Sequence, residues 1–459
     1  MTNQDDHHDA VTTTGEDLPT PTLSNHEGNN ESMAAGTTTP DTTEPIMKPR
    51  RIIRRRRAQQ QKEPTIDPIL LEQTLQASNL PKAYSFEIPK TVQRIHDLKA
   101  SHIALQMPEG LLLYATVLSD VLRRLAPTLQ QVSILGDVTY GACCIDDLGA
   151  QALGCQLLVH YGHSCLVPIQ HTVLPCLYVF VEITLDVTHL VDCLELTIQE
   201  QQHQKRQVTD DQDDKMKTTI YLLGTIQFRH ALQQAQELLQ QRGYAGTEIP
   251  QAKPLSPGEV LGCTSPKLPM ENAERSLVCF VADGRFHLES TLISNPHIPL
   301  MVRYDPYSKT MTTESYNHEQ MKAIRYGAIQ QAQSANVFGI LVGTLGRQGN
   351  PAIVANLQQT LKQHGKRSFL MLVSEITPTK LALFGTKVDA WVQVACPRLS
   401  VDWGHNLSST TPVLNPYELL VCLRQTEWKS VYPMDYYAHA GGPWSNYHEQ
   451  TKHRQFTKT

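Results

Sequence analysis

Two adjacent cysteines, Cys143 and Cys144, stand in the stretch G-D-V-T-Y-G-A-C-C-I-D-D, residues 136 to 147. They follow a small-residue turn and precede two aspartates. A thiolate is a nucleophile and a soft metal ligand, so a cysteine pair of this kind raises the question of its partners. Zinc modules usually present cysteines as C-x₂-C, because one tight turn can offer two thiolates to one ion. No such pair occurs among the ten cysteines of this chain. The partners of Cys143 therefore come from far along the sequence, or both residues are small buried side chains.

The elements that would position such partners are visible as a weak threefold repeat. Its units begin at H-I-A-L-Q-M-P-E-G (102 onward), T-I-Y-L-L-G-T (219 onward) and V-F-G-I-L-V-G-T-L-G (337 onward). Each starts with an apolar run of strand length and passes through a Gly-containing turn into a segment of helical period, such as Leu232, Ala235, Leu238 and Leu239. The second and third helices close on Gly243 and Gly365, where a left-handed cap is expected. A second strand is predicted in each unit, at 132–137, 257–262 and 389–395, and each runs into a cysteine: Cys143, Cys263 and Cys396. Strand, helix, strand in sequence predicts parallel α/β units, which gather their sites at the carboxyl ends of strands.

The fold expected is therefore α/β, with three similar parallel-sheet domains in a pseudo-threefold arrangement around a central site. Cys143, Cys263 and Cys396 are the expected metal ligands. Three converging thiolates suit zinc or an iron–sulfur cluster, and a 4Fe-4S cluster held by three leaves one iron open to a substrate. A single cysteine at a strand end is often a core hydrophobe, but recurrence in every unit weakens that reading. Cys144 could compete as a ligand. Cys155, Cys165, Cys176, Cys193, Cys279 and Cys422 read as core or near-surface residues.

Composition sets the class. The chain has 459 residues, 40% hydrophobic and 19% charged, with a formal net charge of -5, which fits a soluble globular protein and loosely suggests about three domains. No apolar run approaches the roughly 18 residues of a membrane span. The polar amino terminus carries no expected secretory signal, and the scattered cysteines argue for a reducing compartment over a disulfide framework. Residues 1–66 read as a disordered tail. Its run K-P-R-R-I-I-R-R-R-R (48–57) is either a nuclear-localisation or nucleic-acid patch or a solvated basic tail. The acidic balance supports no wide basic face, so a nucleic-acid partner is not expected. The domains expected are 67–198, 218–330 and 331–427, with a polar insertion at 199–217 and a carboxyl-terminal tail at 428–459.

Taken together, M-P-E-G-L-L, G-D-V-T-Y-G-A-C-C-I-D-D, H-Y-G-H-S-C, L-G-C-T-S-P, D-G-R-F-H, G-T-L-G-R-Q-G and A-C-P-R-L-S-V-D-W-G resemble the diphthamide synthase family, in particular its eukaryotic subunit 1 branch. The resemblance spans roughly residues 80 to 445. It implies a 4Fe-4S cluster held by Cys143, Cys263 and Cys396, whose open iron binds S-adenosylmethionine (SAM). It implies transfer of the 3-amino-3-carboxypropyl group to C2 of a histidine on translation elongation factor 2 by a radical route, releasing 5′-methylthioadenosine. It also implies a related second subunit in a heterodimer, a small iron protein as electron donor, and a cytoplasmic location, with the nucleus added if the basic run targets it. For SAM itself, Arg285 and Arg347 are candidate carboxylate partners and Glu109 a candidate ribose contact or helix cap. His163 and His160 would order the site or meet the protein substrate. Two rival readings stand beside this one: a quinolinate-synthase-like 4Fe-4S dehydratase, and a non-catalytic scaffold subunit of the same complex.

Overall fold

The computed structural model describes residues 66–137, 139, 141–164, 166–205, 218–407, 411–437 and 441–446. The basic run 48–57 lies outside the described residues. Strand β1 (Tyr84–Ser85) precedes a first sheet of β2 (His102–Gln106), β3 (Gln131–Leu135), β4 (Leu157–Tyr161) and β5 (Cys176–Val179), and pairs antiparallel with β6 (Glu182–Ile183). A second sheet holds β7 (Thr219–Gly224), β8 (Thr247–Glu248), β9 (Ser276–Val281), β10 (Leu300–Asp305) and β11 (Thr310–Glu314). A third holds β12 (Val337–Gly343), β13 (Arg367–Val373), β14 (Ala390–Val394) and β15 (Val413–Leu414).

The three sheets share one strand order: β3-β2-β4-β5, β8-β7-β9-β10-β11 and β13-β12-β14-β15. In each, the first strand lies inside, the second pairs on one flank and the third on the other. All pairings are parallel except β10 with β11. The interior strands L-L-V-H-Y, S-L-V-C-F-V and A-W-V-Q-V are buried along their whole length, as parallel strands covered on both faces must be. Helix starts follow local chemistry. The Asn350 side chain accepts from the Ala352 and Ile353 amides, and Pro351 needs no donor at the first helical position. Helices Arg229–Gln241 and Pro351–Gln363 are followed by Gly243 (φ 97°) and Gly365 (φ 68°), both left-handed as expected.

Two expectations need correction. Residues 257–262 form no strand; Glu259 makes only an isolated bridge to Gly224, because left-handed Gly258 (φ 78°) interrupts the extended run. The second strand of that sheet is instead the two-residue β8. Strand β13 also went unforeseen, so Cys396 follows the third strand of its sheet, whereas Cys143 and Cys263 both follow the second. The Cys396 loop is thus not equivalent to the other two in the repeat. The first part of the expected insertion, 199–205, continues the helix Val187–Lys205. That helix buries Leu190, Val191, Leu194 and Ile198 in the core of the second sheet, with Ile220 and Leu222. Among the described residues, no helix is long and apolar enough to cross a membrane.

A buried ion pair fastens the carboxyl-terminal segment to the third sheet. Arg325 and Glu418, 1% and 0% exposed, meet through Nε–Oε1 at 2.7 Å and Nη2–Oε2 at 2.6 Å. Arg325 also donates to the Val413 carbonyl, and Tyr432 Oη donates to Glu418 Oε1. Glu418 completes a capping box with Asn415 at the helix Pro416–Cys422. With both Glu418 oxygens and the Arg325 Nε and Nη2 engaged, loss of one partner strands a charge. Arg325→Met is expected to lower unfolding free energy by about 3–5 kcal/mol, seen as a fall in the urea midpoint, with part recovered by adding Glu418→Gln. An unchanged midpoint in the single variant would contradict a sealed pair.

Candidate metal centre

Each of the three cysteines is set by its own local structure. Cys143 lies in the 3₁₀ turn Ala142–Cys144, after β3. The Arg347 amide donates to the Cys143 carbonyl (2.9 Å), and Gln106 Nε2 donates to the Cys144 carbonyl (2.7 Å). Gly346 presses on this turn: it is left-handed (φ 53°), and a Cβ there would stand 2.4 Å from the Cys144 carbonyl carbon. Cys263 lies inside a turn closed by the Leu261 and Thr264 backbones. Cys396 caps the helix Pro397–Trp403, with its carbonyl held by Gln393 Nε2 at 3.0 Å.

The loops bring these thiols into one electrostatic environment. The Cys143 thiol is pushed well up by a hydrogen bond with Cys144, by burial, and by the charges of Cys144, Cys396 and Cys263. Burial, then Cys396, then Asp435 raise Cys263. Burial pushes Cys396 up to about 11, opposed by the Arg398 backbone and guanidinium and reinforced by Cys144. All three residues retain some exposed surface. The bare site therefore favours three neutral thiols, and a positively charged metal group reverses that preference by binding thiolates. The donor set fits an iron–sulfur group.

Interlocking polar contacts hold the loops in place. Arg398, two residues past Cys396 and 3% exposed, donates to the Gly262 carbonyl (3.1 Å) beside Cys263 and to the Phe286 carbonyl (2.5 Å). It pairs with Glu289 (2.5 Å) and Asp402 (2.9 Å) and lies over the Phe286 ring. Arg347 grips buried Asp147 with two bonds, 2.8 and 2.6 Å, joining the third-sheet loop to the Cys143 loop. Ser164 Oγ donates to buried Glu259 (2.5 Å), and Gln227 Nε2 donates to the Gly162 carbonyl (2.8 Å), joining the first and second sheets.

A family model described as "Putative diphthamide synthesis protein" matches residues 107–433. The chain belongs to the diphthamide synthesis family. Among its relatives, the 2-(3-amino-3-carboxypropyl)histidine synthase subunit 1 of Homo sapiens is 48% identical over 389 residues, 84% of this chain and 83% of that protein. The protein of that name from Dictyostelium discoideum is 46% identical over 381 residues, 82% of this chain and 76% of the relative. The crystal structure of Dph2 from Pyrococcus horikoshii with a 4Fe-4S cluster superposes at a TM-score of 0.60, with 26% identity, covering 76% of this chain and 94% of the other.

Within this member of the diphthamide synthesis family, the other residues singled out from sequence take varied positions. Arg347 stands beside the Cys143 turn but is neutralised by Asp147. Arg285 pairs with Glu314 and Glu289 and donates to the Ser315 carbonyl, on the second sheet. Glu109 is exposed at the start of the short helix Glu109–Leu112. His163 is buried and joined to His160 at 3.2 Å, while His160 Nδ1 donates to Gln106 Oε1 at 2.9 Å. Burial drives His160 down to about 3; burial, then His160 and His287, drive His163 well down. Both imidazoles are therefore neutral at pH 7, so His160 Nε2 accepts from His163 Nδ1. Sequence reasoning did not single out Asp147, Gln348, Arg398 or His287. Asp147 and Arg398 lie inside the quoted motifs beside cysteines, and that proximity was the available signal.

Because its folded thiol is raised, Cys396 of the metal-free protein should be alkylated slowly at neutral pH. Its rate, followed by mass spectrometry, should still be climbing at pH 10; a plateau near the ordinary cysteine value of about 8.5 would contradict the burial described. Gly346→Ala should displace the Cys143 turn and lower stability by about 1–3 kcal/mol, through both left-handed strain and the backbone clash. A wild-type melting curve for that variant would show that the turn yields freely.

Proposed function

We propose that this chain is the cluster-bearing catalytic subunit of the first step of diphthamide biosynthesis. The observation that carries the reading is the interlocking of the loops that bear Cys143, Cys263 and Cys396, thiols separated by 120 and 133 residues of sequence. The Arg347 amide donates to the Cys143 carbonyl, and Arg398 beside Cys396 donates to the Gly262 carbonyl beside Cys263. Three thiols brought from separate loops suit an iron–sulfur group, which soft thiolates bind. The three would hold a 4Fe-4S cluster, in three similar α/β domains arranged about a pseudo-threefold axis.

When bound and reduced, the cluster would supply the electron that cleaves the sulfur–γ-carbon bond of SAM, so that a 3-amino-3-carboxypropyl group passes to C2 of a histidine on elongation factor 2 and 5′-methylthioadenosine leaves. The chain's own residues would do the positioning. Arg398 would fix the Cys263 and Cys396 loops so that their sulfurs keep one geometry through turnover. The neutral His160–His163 pair adds no positive charge that would repel the SAM sulfonium. Arg285 and Arg347 remain the proposed SAM carboxylate partners, each exchanging a chain carboxylate for that of the ligand. Glu109, exposed, remains available to a ribose hydroxyl. A related second subunit, a small iron-containing electron donor and a cytoplasmic setting complete the proposal. A scaffold subunit would have no need of three clamped thiols, which favours the catalytic reading over the scaffold one.

Anaerobic reconstitution with iron and sulfide tests this. About four irons per chain are expected, with loss on Cys143→Ala, Cys263→Ala or Cys396→Ala, and methylthioadenosine formation from SAM and dithionite only by the loaded wild type. Undiminished iron in all three variants would reject the ligand assignment.

A further inference from the structure

Cys144 is the buried nucleophile that the proposed function leaves unused. It is 2% exposed yet belongs to none of the hydrophobic core clusters, unlike Cys155, Cys279 and Cys422. Its sulfur faces polar groups. Gln348 Nε2 donates to Cys144 Sγ at 3.1 Å and stands 3.9 Å from Cys143 Sγ, so one amide spans both sulfurs and sets them on the same side of the turn. An N–H donor at a sulfur is also the arrangement that tunes iron–sulfur ligands. The backbone of Cys144 is fixed by Gln106 at its carbonyl and by Gly346 against its main chain. The Cys144 sulfur thus stands beside that of Cys143, and its charge acts on Cys143 and Cys396.

We propose that Cys144 is a resident fourth thiol of the centre, which closes the open iron in the absence of SAM and is displaced when SAM binds. The inference rests on the 4Fe-4S reading above. The exchange changes no oxidation state. On closing, an iron–sulfur bond forms and the Cys144 proton leaves to solvent. When SAM enters, its donor atom replaces that bond and the freed thiolate takes up a proton, rotating back to the Gln348 amide. Such a thiol would shield the open iron from oxidative loss while no substrate is present. The cost is a weaker apparent affinity for SAM, in proportion to the fraction of molecules in the open state.

The test uses the full-length chain loaded with iron and sulfide, its cluster kept oxidised to prevent turnover, and iodoacetamide as probe. Alkylation of Cys144, read by mass spectrometry, should rise several-fold on adding SAM while Cys143, Cys263 and Cys396 stay protected. If the closed state holds about nine-tenths of the molecules, Cys144→Ala should bind SAM about tenfold more tightly. The same variant should lose its fourth iron to a chelator faster than wild type, giving the spin-resonance signal of a three-iron cluster. The labelling arm needs no variant, so a Cys144→Ala chain that failed to fold would leave the proposal testable. Cys144 labelling that SAM does not change, in protein that holds its iron, would overturn this inference alone. Wild-type protein that folds but binds no iron would overturn the cluster reading beneath it.

Discussion

The structure depends on holding several thiols together in a place where their own chemistry opposes it. Burial and mutual charge both push Cys143, Cys263 and Cys396 toward the neutral form. No one loop supplies more than one of the three, so their convergence is a property of three sheets at once. A cationic group at that point offsets the cost of forming buried thiolates, which suits the site to a metal centre.

The polar contacts around the thiols follow from this demand. Arg398 reaches from the Cys396 helix to the carbonyl beside Cys263, and Arg347 reaches from the third-sheet loop to Asp147 beside Cys143. Arg suits both places because a planar fork can bind a carboxylate and a carbonyl together and keeps its charge when buried. Ser164 with Glu259 closes the remaining side. These bonds join residues about 95 to 200 positions apart, so they stabilise the arrangement of loops more than any single element. The Arg325–Glu418 pair does the same for the segment that follows β15, bringing Tyr432, Met434 and Tyr436 into the largest apolar cluster.

Position relative to the strands matters as much as identity. Parallel strands direct their carboxyl ends to one edge, and the loops leaving that edge are free to vary without disturbing the sheet. That freedom explains how Cys396 can follow the third strand of its sheet while Cys143 follows the second, with the charge of one still acting on the other. It also explains the glycine at 346, where a left-handed turn lets one loop lie directly on another's backbone.

The sequence by itself determined much of this. Apolar runs of strand length, helical periods and closing glycines at 243 and 365 predicted the parallel α/β sheets, because those patterns are local consequences of burial and backbone geometry. The three cysteines were singled out by recurrence, although the strands expected before two of them are not those observed. Residues 257–262 carry an apolar, strand-like composition that left-handed Gly258 defeats, and β13 was overlooked within a polar-flanked segment. What only the tertiary structure decided is which charges are spent on one another. Whether Arg347 meets Asp147, and whether Arg398 meets Glu289 and the Cys263 loop, depends on distances between chain segments more than a hundred residues apart. Periodicity carries no information about such pairings; they exist only once the sheets have packed.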